Sequence, residues 1–451
     1  MNKLFMCARV AIAAALAMLC GTGGATDLMD AYAGAREIDS RMLAANEALQ
    51  AGREKAIQGR ALSRPKVSLS GSVVHVDEKS SAELPAALSG LIKPESSGRV
   101  QQVALQLVHP LYDSRSRVER AQLAHQATLA EIGHRHAAQE LMQRVGEAYF
   151  GVLLAHEHVR VVQAEKVAVA MQLERAKARF EVGRARITDL QEAQARHDNV
   201  VAKEVVTGST LALRRMQYLE LTGAPADELA ALRPGFAPTA PHSDRLEEWL
   251  LKAAVGNARV QSREVELAIA TAEIEKYRLS GRPTIDLVAS VTRKGQSGGL
   301  SPLVAMDGSR SAVLGLQLNV PLYTGGALES RRVESMARKR QAEHDLDTAR
   351  SDTRLQVHEA FLAVVTSVSR IAALAQSVLS AQSALDATVL GRDLGTRTEV
   401  DVLDAQQRLF SAQFELVQAR NDYMLGRIRL AAAAGDLQEG DLHGLNALLV
   451  H

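Results

Sequence analysis

The sequence predicts a mainly α-helical chain with a membrane β-barrel portion, built from two copies of one unit. Three observations carry this. Segments recur at an almost constant separation. Long stretches lack proline and show helical periodicity. Short stretches alternate apolar and polar residues.

Arg64-Pro-Lys-Val-Ser-Leu69 returns as Arg282-Pro-Thr-Ile-Asp-Leu287. Leu105-Gln-Leu-Val-His-Pro-Leu-Tyr112 returns as Leu316-Gln-Leu-Asn-Val-Pro-Leu-Tyr323. Val182-Gly-Arg-Ala-Arg-Ile-Thr-Asp-Leu190 returns as Leu394-Gly-Thr-Arg-Thr-Glu-Val-Asp-Val402. The separations are 218, 211 and 212 residues, so only loops differ in length. A period this long signals one duplicated architecture, not an ordinary solenoid.

Residues 1–25 read as a secretory signal peptide. Lys3 and Arg9 form the basic start, Val10 to Leu19 the apolar core, and Gly23-Gly24-Ala25 the small-residue cleavage site. Lipidation at Cys20 is disfavoured, because bulky Leu19 precedes it. Cleavage after Ala25 removes Cys7 and Cys20, the chain's two cysteines, so the exported protein uses neither disulfide nor thiol chemistry. It also lowers Lys+Arg from 53 to 51 against 52 Asp+Glu. A net charge near −1 gives no support for a nucleic-acid partner. No later run of 18 apolar residues occurs, so no transmembrane helix is expected, and membrane spanning would need a closed β-barrel.

The first repeat, 26–222, is predicted to hold a helix, strands over 65–76 and 100–112, and a helical hairpin over 113–222. Residues 223–241, with Pro225, Pro234, Pro238 and Pro241, form the linker. The second repeat, 242–435, holds a helix, strands over 282–293 and 311–323, and a hairpin over 325–434. A C-terminal tail, 436–451, follows.

In the strands, Val67, Leu69, Gly71 and Val73 alternate with Ser68, Ser70 and Ser72, and Val103, Leu105 and Leu107 with Gln102, Ala104 and Gln106. Ile285, Leu287, Ala289 and Val291 alternate with Asp286, Ser290 and Thr292, and Val288 breaks the rule. Leu314, Leu316, Leu318 and Val320 face away from Gly315, Gln317 and Asn319. One apolar and one polar face suits a barrel wall between lipid and a water-filled lumen. Loops over 77–98 and 295–310 join the pairs. Four strands cannot enclose water, so several chains must contribute. A small soluble hairpin sheet is the alternative. Tyr112 and Tyr323, at strand ends, are candidates for an interfacial girdle or for junction packing.

Proline is absent from 111 to 224 and after 321, and 327–390 contains neither glycine nor proline. Those 64 residues would make a helix of about 96 Å. Leu141, Val145, Ala148, Val152, Ala155, Val159 and Val162, then Val169, Leu173, Ala176 and Phe180, step by fours and threes. Val357, Ala360, Val364, Ser367, Ile371, Leu374, Val378, Ala381 and Leu385 repeat the register. This period packs helices side by side, and a plain coiled-coil rod satisfies it too.

Each long helix turns into a second. Gly183 and Gly395 are placed to close the first helices in the left-handed conformation. Thr188-Asp-Leu-Gln191 and Thr398-Glu-Val-Asp401 read as capping boxes for the second. Asp401 and Asp404, three apart, share a helix face, where they either favour the helix N-terminus or serve a pore.

At this point Gly395-Thr-Arg-Thr-Glu-Val-Asp-Val-Leu-Asp-Ala405 resembles the second tip motif of the TolC family of outer-membrane efflux ducts. Phe180-Glu-Val-Gly183 and Ile187-Thr-Asp189 resemble the first, and the duplication, the Pro-Leu-Tyr strand ends and Gly325-Gly326 agree. The resemblance covers nearly the whole mature chain. It implies a homotrimer in the bacterial outer membrane, with four strands per chain in a 12-stranded barrel that continues into a long α-helical barrel in the periplasm. It implies a passive exit duct for a tripartite efflux or type I secretion system, with a periplasmic adaptor and an inner-membrane transporter as partners. Asp401 and Asp404 map onto the family's pore constriction, and Asp189 and Arg397 onto links that hold the closed state. Arg392 stands where the compared family member has tyrosine, and would either pair with Asp189 or repel Arg397.

Other constellations are weaker. His134-Arg-His136 and His156-Glu-His158 have a spacing that points their rings to different sides of a helix, so solvent-facing positions are expected and no metal. Gly23-Gly24, Gly298-Gly299 and Gly325-Gly326 lack a phosphate-loop context. No nucleophile elbow or zinc signature occurs, so no enzyme and no cofactor are expected. The alternative function is a structural or adhesive surface protein built on a rod.

Overall fold

The structure, a computed structural model, describes residues 26–79, 95–233, 235–239, 245–298 and 308–450. The expected signal peptide, Cys7 and Cys20 lie outside the described residues. Helices α1 (Leu28–Ile38) and α2 (Ser40–Ala61) lead into strands β1 (Lys66–Lys79) and β2 (Glu95–Tyr112), then α3 (Ser114–Glu181) and α4 (Ile187–Thr222). The order helix, helix, strand, strand, helix, helix then recurs. It comprises α5 (Leu246–Gly256), α6 (Ala258–Leu279), β3 (Thr284–Gly298), β4 (Gly308–Asn319), α7 (Ala327–Asp393) and α8 (Glu399–Ala433), and α9 (Glu439–Asn446) follows. The chain forms two compact units, one of residues 48–132 and 262–348, the other of the remaining segments.

The first unit holds one antiparallel sheet in the order β1-β2-β3-β4. Its register aligns the alternation across all four strands. Val67 faces Leu107, Leu107 faces Ala289, and Ala289 faces Leu314. Leu69, Leu105 and Val291 continue the same side. Ser70, Ala104, Thr292 and Ser311 line the other. Val288 lies on this polar side, opposite Gly315 and Val108. The apolar side is uncovered, with Leu69 72% and Leu316 69% exposed.

The strands extend further toward the hairpins than the alternation suggests. Asp77, Glu78 and Lys79 pair with Ser97, Ser96 and Glu95, and Lys79 meets Glu95 at 3.1 Å. Backbone pairing, once begun, carries polar residues of low strand propensity along with it. The outer parts of the expected loops, 80–94 and 299–307, lie outside the described residues. At the other end β4 stops at Asn319, before Pro321, whose missing N–H ends pairing. Val320 and Tyr323 are therefore off the strand, and Tyr323 is almost fully exposed. Tyr112 ends β2 beside Ile285, after a register shift at Pro110.

The second unit is helical. Leu141, Val145, Val152, Ala155 and Val162 of α3, and Val357, Val364, Ser367 and Ile371 of α7, are buried as their spacing predicts. Phe180, at the far end of α3, is half-exposed. α7 contains no unbroken apolar run of 18 residues, because Arg370 interrupts it. It contains an 18-residue stretch of mean hydropathy 1.6, long and apolar enough to cross a membrane by length and composition. Val357, Val364 and Ile371 face the core, whereas Leu362, Val365 and Leu379 are exposed on the same helix.

Two polar residues break helices at matching places. Asp39 separates α1 from α2, and its carboxylate accepts the Met42 N–H at 2.9 Å. Asn257 separates α5 from α6, and its amide oxygen accepts the Arg259 and Val260 N–H groups. Arg144 of α3 donates to both oxygens of Asp39 at 2.8 Å.

The tail is not a trailing segment. α9 buries Leu442 and Leu445, and Leu449 beyond it is buried as well. Asn446 clasps the first helix, accepting from the Leu28 N–H at 3.0 Å and donating to Asp27 at 2.8 Å. The linker is held in the same place. Leu229 bridges Thr26, Leu232 bridges Leu449, and the Tyr149 hydroxyl donates to the Ala230 carbonyl at 2.9 Å. Burial raises the Tyr149 pKa, which keeps that donor protonated.

The Arg144 guanidinium and the Met42 N–H hold the Asp39 carboxyl below its ordinary pKa, despite burial. Its stabilising contribution is therefore present above the ordinary aspartate range and lost as the pH falls through the depressed value. Asp39→Ala also strands Arg144, so a destabilisation of about 3 kcal/mol is expected in denaturant melts at neutral pH. The difference from wild type should shrink in acid.

Candidate functional site

The candidate site lies at the hairpin ends of the helical unit. Two turns build it with the same backbone chemistry. At the end of α3, Gly183 has φ +67°, the Gly183 N–H donates to Phe180, and the Arg184 N–H reaches Arg179. At the end of α7, Gly395 has φ +79°, its N–H donates to Arg392, and the Thr396 N–H reaches Gly391. Both turns are Schellman closures, in which a left-handed glycine satisfies the last carbonyls. A side chain at either glycine would strain the turn.

The helices that follow are capped differently from one another. Thr398 and Asp401 form the expected box. The Thr398 hydroxyl accepts from the Asp401 N–H at 3.2 Å, and the Asp401 carboxylate accepts from the Thr398 N–H at 2.8 Å. For α4 the cap moves two residues toward the N-terminus. Asp189, not Gln191, reaches back, and it accepts from the Arg186 N–H at 3.3 Å. Asp189 is thus the third helical residue, where a carboxylate also favours the helix dipole.

The predicted site residues fall into two groups. Asp401 is committed to its cap, and the Thr398 backbone and hydroxyl hold its pKa below the ordinary value. Asp404, one turn on, meets Arg196 of α4 at 2.5 Å and remains half-exposed. Arg196 also bonds Gln407 and, at 3.2 Å, Glu192. Arg392 pairs neither with Asp189 nor against Arg397. It donates to Asp393 at 2.8 Å and to Glu399 at 3.3 Å, and Glu399 also meets Arg179 of α3 at 3.4 Å. The side chains of Arg392 and Glu399 are only 7% and 8% exposed. Burial pulls the Arg392 pKa down, but the Asp393 and Glu399 carboxylates outweigh it and leave it raised. Among the described residues Arg397 forms no ion pair, and Asp189 is held by its own helix cap.

Sequence reasoning missed Arg196, Glu399 and Arg179. Arg196 lies 208 residues from Asp404, and Arg179 lies 220 from Glu399, so no local pattern joins them. The hairpins also share a core, in which Leu403 of α8 packs with Val169, Leu173 and Ala176 of α3 and Ala193 of α4. Of the histidines, His158 is not the solvent-facing residue expected, because its ring stacks on Phe414 at 3.9 Å. Among the described residues no cluster could hold a metal.

The pattern characteristic of outer membrane efflux proteins matches residues 32–224 and 249–436. This chain belongs to that family, the TolC family. It is 30% identical to outer membrane protein TolC of Vibrio cholerae over 97% of both chains. It is 31% identical to the alkaline protease secretion protein AprF of Pseudomonas aeruginosa, over 93% of this chain and 86% of that one. Its fold matches the outer membrane protein VceC of Vibrio cholerae with a TM-score of 0.75, at 19% identity, covering 90% of this chain and 96% of that one. This family member is an outer-membrane efflux or secretion duct.

Loss of the cap should loosen the second tip without unfolding the hairpin. In Thr398→Ala, amide exchange at residues 399–402 should rise about fivefold, matching about 1 kcal/mol of capping. In wild type the same loosening should begin only in acid, below the ordinary aspartate range, because Asp401 must be protonated to release the cap.

Proposed function

We propose that three copies of this two-repeat chain close into one duct, open to the outside through a 12-stranded barrel and gated at the periplasmic helical tips. The sheet carries this reading. Its apolar face is exposed, its opposite face is polar, and β1 and β4 leave edges unpaired within the described chain. Joining β1 of one copy to β4 of the next satisfies both edges and separates lipid from water. A soluble hairpin sheet or an adhesive rod has no use for an uncovered apolar face in register across four strands. The exposed apolar residues of α7 would be covered by the neighbouring copy in the same ring.

In this assembly Asp401 and Asp404 of each copy converge near the axis as a cation-favouring ring. Asp189, Arg392 and Arg397 sit at the tips that must separate for passage. The chain carries no recognisable nucleotide-binding motif, so energy would come from an inner-membrane transporter joined through a periplasmic adaptor. The named relatives include both a TolC and a protease secretion protein, and both fit a passive exit duct.

Planar-bilayer recording tests the assembly: a duct conducts and a rod does not. Replacing Asp401 and Asp404 by Asn should reduce cation over anion permeability, measured as a shift of reversal potential toward zero in a salt gradient. Unchanged selectivity would reject the ring. Arg397→Ala should raise single-channel conductance if its partner lies on a neighbouring copy. Each exposed pair contributes only about 0–1 kcal/mol, so partial opening is the expected outcome.

A further inference from the structure

The barrel wall carries a feature that the duct does not need. Counting from the helix-joined end, the apolar side of β3 and β4 runs Ile285 with Leu318, Leu287 with Leu316, Ala289 with Leu314, and Val291 with Ala312. From Ile285 to Val291 this band is about 20 Å of strand. The next pair on the same side is Arg293 with Arg310. Both are exposed, and among the described residues neither has a carboxylate partner. Like charges directly opposite across strands repel. The sheet therefore places two guanidiniums side by side at the rim of a lipid-facing band and supplies no counter-charge.

The surroundings leave room for one. Gly71 flanks the arginine row beyond Val103, and the following row ends in Gly295 and Gly308. A side chain at Gly295 or Gly308 would meet nothing within 4 Å. Arg99 lies on the same side, opposite Ser297, four residues before Val103 in β2 and nearer the hairpin end. Strand geometry puts it about 14 Å from Arg293. The nearby acids on this side are already engaged, Asp77 with His75 and Glu95 with Lys79. Lys294 is on the opposite, lumen side, facing Gln102 and Ser309.

We propose that Arg293 and Arg310 together bind the phosphate of an outer-leaflet lipid headgroup, with Arg99 placed for a second phosphate of a phosphorylated glycolipid. This rests on the barrel reading above. All four strand ends that join helices lie at one end of the sheet, and both hairpins lie at the other. With the helices in the periplasm, the arginines stand at the external headgroup level, where a lipid-facing arginine costs little. Paired guanidiniums match the oxygens of a phosphate through charge-assisted, bidentate hydrogen bonds.

Native mass spectrometry of the assembled protein in non-ionic detergent tests this, with a bisphosphorylated glucosamine-disaccharide lipid and its dephosphorylated form as probes. Wild type should retain the phosphorylated lipid, and R293Q/R310Q should lower its occupancy on the order of tenfold. K294Q should match wild type. Equal retention by R293Q/R310Q, equal retention of the dephosphorylated lipid, or displacement by inorganic phosphate at the lipid's own concentration would each overturn the proposal. Should the double variant fail to assemble, R310Q alone must still lose occupancy and R293K/R310K must recover part of it. The same samples are recorded in planar bilayers. Conducting variants that keep the lipid overturn only this site, whereas a non-conducting wild type overturns the barrel reading on which it rests.

Discussion

The structure depends on one unsatisfied element: a four-stranded sheet with two open edges and an uncovered apolar face. Unpaired edge groups cannot remain in a hydrocarbon environment, where no water is available to bond them. Nor can four strands curl tightly enough to pair with themselves around a water-filled lumen. In the proposed ring of copies each of these edges meets the edge of the next chain. Membership of the outer-membrane efflux family is what sets the sheet in that environment.

The helical unit solves a different problem. Helices as long as α3 and α7 have little to hold them if they pack only along narrow seams. Near their middle the chain gathers its ends and its linker into one core. Tyr149 and Tyr218 are buried there with Leu28 and Leu449, and the polar tips of Asn446 and Tyr149 tie three distant segments to one another. Asp39 and Asn257 break the shorter helices at matching positions. Packing that is repetitive in sequence is thus anchored at one level by a few specific polar contacts.

At the tips, stiffness and looseness lie side by side. Schellman turns at Gly183 and Gly395 and the Thr398–Asp401 cap define the helix ends, so each hairpin is locally rigid. Between hairpins, the charges are shared: Glu399 serves both Arg392 and Arg179, and Arg196 serves both Asp404 and Glu192. If the hairpins part, each shared charge keeps the partner on its own hairpin, Arg392 for Glu399 and Glu192 for Arg196. That suits tips proposed to separate as rigid hairpins.

The sequence by itself determined the elements governed by local rules. Proline-free periodic runs gave the long helices, alternation gave the strand faces, and glycine with Thr398 and Asp401 gave the second tip turn. Each depends on residues within a few positions of one another. The limits of those rules mark the differences. Strand ends ran on through Asp77–Lys79 because pairing overrode propensity, and the tail became a buried helix because Leu442, Leu445 and Leu449 found a core made by other segments. Only the tertiary structure decided that Arg392 belongs to Glu399, that Asp404 answers Arg196, and that Arg293 stands beside Arg310. The partners in the first two bonds are charged groups whose pairing follows from which helix faces which, and the third follows from strand register. A chain does not write down such distances until it folds.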